Sequence, residues 1–106
     1  MFHLDLRLLR SFAAVAYESS VTRAAERLNL TQPTVSGLIK ELEQELGFAL
    51  FHRTTRRVRL SEQGERLLPL AEAILRRCED LRIEVEEMQL AKRMRFRLGA
   101  AMYTMD

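Results

Sequence analysis

Leu67, Ala71, Ile74, Cys78, Leu81, Val85 and Met88 recur along the chain at spacings of 4, 3, 4, 3, 4 and 3. Three heptads of apolar seam predict one long α-helix. Ser61 is placed to cap its start, and the helix is expected to run to about Met94. Pro69 lies inside it, where it removes a backbone hydrogen bond and favours a kink. Arg76, Arg77, Glu79, Glu84 and Glu86 are assigned to the opposite face. A seam this long has no counterpart in a domain of about sixty residues. A second chain is therefore the expected cover beyond Ile74, with packing on the first helix expected near Leu67–Leu70.

Upstream, shorter periodic segments are separated by clear stop signals. A first helix is predicted from Leu6 to Glu18, capped by Asp5, with Leu8, Leu9, Phe12, Val15 and Ala16 on one stripe. Ser20 caps a second helix, Val21 to Leu28, that buries Ala24, Ala25 and Leu28. Thr31 caps a third, with Pro33 in the first turn, where no N–H is missed. Val35, Leu38, Ile39, Leu42 and Leu46 form its buried stripe, and Gly47 supplies a left-handed end. Two extended runs follow, Ala49–His52 and Arg57–Leu60, with Thr54, Thr55 and Arg56 turning between them. Leu50 and His52 are expected to alternate against their neighbours, as are Val58 and Leu60. Phe96–Ala101 reads as strand-like.

The fold class is thus mainly α: a winged helix-turn-helix of three helices and a β-hairpin, followed by a long dimerisation helix. The second and third helices need a small residue where they touch, which Ala25 supplies. Their turn needs left-handed backbone, which Asn29 tolerates. Helix pattern alone fits an ordinary pair of core helices equally well. The hairpin and its arginines tip the reading toward DNA. The expected domains are 1–60, the winged unit; 61–94, the linker helix; and 95–106, the start of a further domain.

Six motifs then line up. They are Leu8-Leu9-Arg10-Ser11-Phe12, Thr22-Arg23-Ala24-Ala25-Glu26-Arg27-Leu28, Thr31-Gln32-Pro33-Thr34-Val35-Ser36, Leu42-Glu43-Gln44-Glu45-Leu46-Gly47, Leu50-Phe51-His52-Arg53 and Leu60-Ser61-Glu62-Gln63-Gly64. In order and spacing, Leu4–Leu68 resembles the N-terminal domain of LysR-type transcriptional regulators. With the linker helix, the resemblance covers roughly the first ninety residues. Phe96-Arg97-Leu98-Gly99-Ala100 resembles the opening strand of that family's effector-binding domain. The resemblance implies antiparallel pairing of linker helices, allows a tetramer in the full-length protein, and places a small-molecule inducer in the effector domain. That domain is not in this sequence, which reads as part of a longer bacterial protein. Departures are Ser19 and Val21, where the family often has Gly and Phe, and Gly37, where many members carry a polar or basic side chain.

With its stripe turned inward, the third helix offers Gln32, Pro33, Thr34, Ser36 and Gly37 toward base edges. Gln32 suits paired hydrogen bonds to adenine, and the resemblance points to the same residue. Pro33 could touch a thymine methyl, with helix initiation as its alternative role. Gly37 removes a possible side-chain contact and, within a helix, costs about 0.5–1 kcal/mol relative to alanine. Thr22, Arg23, Thr31 and Lys40 are candidates for the phosphate backbone. Arg53, Arg56 and Arg57, in a run that also holds Arg59 and no acid, are candidates for backbone and minor groove. Clustered guanidiniums repel one another unless a polyanion is present, and narrow A·T-rich minor grooves attract arginine. Arg23 with Glu26, or Arg27 with Glu43, are alternative ion pairs.

The net charge of +2 on 106 residues carries little weight beside this clustering. His3 and His52 stand far apart and Cys78 is the one cysteine, so neither a metal site nor a catalytic triad is expected. Cys78 reads as a small apolar seam residue. No membrane span, glycine-rich phosphate loop or cofactor is expected, and the reading is of a cytoplasmic protein that is not an enzyme. The expected partners are double-stranded DNA, as an A·T-rich inverted repeat, and a second copy of the chain. A protein-interaction module and a nonspecific nucleoid-binding protein are the alternatives.

Overall fold

The computed structural model describes residues 3–53 and 57–104, without the side chains of 53 and 100–104. The elements run α1 (Leu6–Glu18), α2 (Val21–Leu28), α3 (Gln32–Leu46), β1 (Phe51–Arg53), β2 (Val58–Leu60) and α4 (Glu62–Thr104). The chain divides into two units, Met1–Leu75 and Arg76–Asp106.

Local chemistry sets each start. The Asp5 side chain accepts from the Arg7 amide, Ser20 from the Arg23 amide and Thr31 from the Thr34 amide. Each cap satisfies a donor that the first helical turn leaves without an intrahelical partner. Ser19, Asn29 and Gly47 end the three helices in left-handed backbone, at φ 52°, 57° and 81°. At Asn29, two bonds close a Schellman turn: the Leu30 amide donates to the Ala25 carbonyl at 2.9 Å, and the Asn29 amide to that of Glu26 at 3.2 Å.

The first unit has one core. Leu8, Leu9, Phe12, Ala14 and Val15 of α1 meet Ala24 and Ala25 of α2 and Val35, Ile39 and Leu42 of α3. Ala24 and Ala25 are the small residues that permit this close approach. Leu50 and Phe51 close the core from the hairpin, and the Phe51 ring meets Phe12 edge-on at 5.6 Å between centroids. Such a pair adds about 0.5–1.5 kcal/mol beyond its area. The expected alternation fails in the first run: Leu50 and Phe51 are both buried, and His52 is exposed. Leu50 precedes the ladder, which pairs Phe51 with Leu60, His52 with Arg59 and Arg53 with Val58, antiparallel. It is therefore not bound to the strand's alternation. The predicted turn Thr54–Arg56 lies outside the described residues.

The long helix departs from expectation in two ways. Ala71 belongs to the core of its own chain at 4% exposure, and Leu67, Leu68 and Leu75 pack against that core. Leu67 packs internally as expected of the Leu67–Leu70 stretch, but the seam position Ala71 does so too, whereas Leu70 is 62% exposed. The helix also runs past Met94 to Thr104, where a strand was expected. A strand there would need a neighbour for its N–H and C=O groups, while a helix pairs them within itself. Met94, Arg95, Arg97 and Leu98 are all good helix formers.

In the second unit every described side chain from Arg76 to Leu98 is exposed except Cys78, which is half-buried. Arg82 reaches Glu79 and Glu86, one turn to either side, and these carboxylates raise its already high pKa. No helix among the described residues is long and apolar enough to cross a membrane.

Candidate nucleic-acid interface

Helix α3 is inward at Val35, Ile39 and Leu42 and outward at Gln32, Pro33, Thr34, Gly37 and Lys40. Ser36 is half-buried between the two faces. Three anchors spaced four and three apart fix the helix about its axis, so the polar edge cannot turn inward without exposing them. Thr31 Oγ1 caps the helix and lies 2.8 Å from Thr34 Oγ1, so these two hydroxyls are already tied to each other. Thr22 and Arg23, in the first turn of α2, are exposed. A Cβ added at Gly37 would meet nothing within 4 Å. Packing within the chain therefore does not require glycine there.

In the hairpin, Arg57 and Arg59 are exposed, Arg53 ends β1, and Arg56 lies outside the described residues. Glu41 and Glu45 are exposed on later turns of α3. Neither alternative ion pair forms among the described residues. The Arg27 guanidinium instead lies over the Tyr17 ring, 4.5 Å from its centroid.

Residues 6–65 match the model of the bacterial regulatory helix-turn-helix proteins of the lysR family. The chain belongs to the LysR family. It is 38% identical over 99 residues to the RuBisCO operon transcriptional regulator of Allochromatium vinosum, covering 93% of this chain and 33% of that protein. It is likewise 38% identical over 101 residues to the HTH-type transcriptional regulator BsdA of Bacillus subtilis, covering 94% of this chain and 35% of that one. The chain thus spans about a third of the length of these relatives. Among solved structures it resembles the BenM DBD in complex with benA site 1 DNA, at TM-score 0.74 and 34% identity, over 80% of this chain and 96% of that one. It also resembles full-length OxyR C199D of Pseudomonas aeruginosa, at TM-score 0.76 and 36% identity, over 80% of this chain and 29% of that one.

This LysR-family chain also carries contacts that sequence reasoning missed. Glu43, on α3, accepts from the Leu50 amide at 2.6 Å and the Phe51 amide at 3.4 Å. Ser61 does more than cap α4: its hydroxyl donates to the Ala49 carbonyl at 2.7 Å and accepts from the Gly64 amide at 3.0 Å. A Cβ on Gly64 would stand 2.2 Å from the Leu50 carbonyl oxygen and 3.0 Å from Leu60 Cδ2. The signal for Gly64 was its place in the Leu60–Gly64 motif, which marks the position without giving the reason. For Glu43 the sequence suggested a different partner, Arg27. Ser19, where the family often has glycine, adopts the left-handed conformation that glycine enters most readily.

Proposed function

We propose that this chain is the DNA-binding part of a dimeric LysR-type transcription regulator that reads A·T-rich inverted repeats. The observation that carries the proposal is the two-faced third helix, with Val35, Ile39 and Leu42 inward and Gln32, Thr34, Gly37 and Lys40 outward. That edge enters the major groove. There Gln32 pairs with adenine, Pro33 and Thr34 lie against neighbouring base edges, Ser36 reaches past the buried face, and Gly37 lets the backbone come close. Thr22, Arg23, Thr31 and Lys40 hold phosphates, and Arg53, Arg56 and Arg57 follow the backbone into the minor groove. The likeness to a DBD solved on DNA supports this placement.

Pairing uses α4 from Ile74 through Cys78, Leu81, Val85 and Met88, whose apolar side chains are at least partly exposed in a single chain. The apolar groove lined by Leu4, Leu46, Phe48, Leu67, Leu70 and Ile74 supports a second copy as the cover. Two-fold pairing matches an inverted-repeat site. In this reading the protein acts in the cytoplasm, where bacterial DNA is, and this part has neither an enzymatic role nor a cofactor. An inducer would bind the effector domain.

The test is a salt titration on a selected site and on scrambled DNA. Gln32→Ala is expected to cost about 1–3 kcal/mol on the selected site and to relax preference at one base pair. Arg53→Ala is expected to weaken binding to both sequences and lower the salt slope by about one unit. Equal losses from Gln32→Ala on both duplexes would refute base reading, and a folded, paired chain that ignores every duplex at low salt would refute the proposal.

A further inference from the structure

We infer that Glu43 is a positioning residue that ties the wing to the DNA-reading helix. The inference rests on the DNA-binding proposal above. A hairpin of three-residue strands is marginal by itself. Its orientation must therefore be set at its root. There the Glu43 carboxylate accepts from two consecutive amides, those of Leu50 and Phe51, in residues that are themselves buried. Buried amides deprived of a partner are costly, and a charged acceptor makes the stronger bond.

The same stretch of chain is held from the other side by Ser61. Ser61 Oγ donates to the Ala49 carbonyl, and the Ser61 amide donates to the Leu50 carbonyl at 2.8 Å. The Gly64 amide donates to Ser61 Oγ in turn. Ala49–Phe51 is thus gripped between a carboxylate from α3 and the cap of α4. Arg53 follows two residues later, roughly 7 Å along the strand. A small tilt at the root would carry its guanidinium off the phosphates while leaving Gln32 in place. Glu43 therefore sets the register in which groove reading and wing contact occur together.

The experiment uses the full 106-residue chain with Glu43→Gln, which keeps a carbonyl acceptor, and with Glu43→Ala and Glu43→Met, which do not. Glu43→Met keeps the side-chain bulk should Glu43→Ala fold poorly. Amide exchange at Leu50 and Phe51 is expected to quicken roughly tenfold in the Ala and Met variants. On DNA, their salt slope should fall by about one unit. Preference for A·T pairs under the wing should fade, while discrimination at the base pair read by Gln32 persists. Glu43→Gln, which keeps a weaker, neutral acceptor, should fall between wild type and the Met variant.

Unchanged exchange and slope in Glu43→Met would overturn the inference. So would a Gln variant as impaired as the Met variant, with equal losses on every duplex. Wild-type chain that binds no duplex would remove the DNA role along with the underlying reading, and the exchange rates would then judge the hydrogen bonds alone.

Discussion

Leu8 and Leu81 are the same amino acid in helices of one chain, yet the first is 2% exposed and the second 65%. Around Leu8, α1, α2, α3 and the hairpin each contribute an apolar face. Around Leu81 the second unit has only its own helix to offer. Burial is thus a property of what surrounds a side chain, and hydrophobicity only states the need for it. The distal helix states that need twice. Ile83, Leu90 and Met94 are also exposed, and at about 100° per residue they fall opposite Leu81, Val85 and Met88. That side also carries the charged Arg76, Glu79 and Glu86.

The sharpest way to break this contrast is to make the same kind of truncation in both regions. Phe12→Ala should cost about 3–5 kcal/mol at any protein concentration, through loss of the core ring and its Phe51 contact. Leu81→Ala should leave the monomer's stability nearly unchanged and instead raise the concentration at which the chain pairs. Thermal melts over a range of concentrations, with sedimentation, would separate the two. Equal and concentration-independent losses would end the comparison.

Gly64→Ala is expected to follow, at about 1–3 kcal/mol, because the added Cβ meets backbone at Leu50 rather than a yielding side chain. An alanine tolerated there in urea denaturation would mean that the root of the wing can shift. Ser19→Gly should act in the opposite direction. It relieves left-handed backbone at φ 52° and is expected to raise stability by up to about 1 kcal/mol, a Tm rise of several degrees.

The smallest effect is at the Asp5 cap, whose carboxyl the Arg7 side chain and amide hold below its usual pKa of 3.8. A carboxyl with a depressed folded-state pKa stabilises the fold above its unfolded pKa. That contribution should be lost as pH falls from about 3.8 through the lower folded value. Asp5→Asn should flatten this part of the acid-unfolding curve, and an unchanged curve would remove Asp5 from the account.

Much of the helical framework was legible because its signals act over three or four residues. Asp5, Ser20, Thr31 and Ser61 mark starts, and Asn29 and Gly47 mark stops, by bonds to amides or carbonyls close in sequence. The outward edge of α3 was legible for the same reason, since Val35, Ile39 and Leu42 fix its opposite. The alternation of Val58 and Leu60 was legible too, but that of the first run was not, because Leu50 and Phe51 are both buried in the core shared with α1 and α3.

By itself the sequence determined where α1, α2 and α3 begin and end, and which face of α3 must turn inward. Caps, turns and helical periodicity are all decided among near neighbours in the chain. Only the tertiary structure decided that Glu43 would hold the hairpin, that Gly64 would lie against Leu50, and that Ala71 would join the core instead of the seam. Those outcomes depend on groups distant in sequence meeting in space, and burial leaves them few other partners.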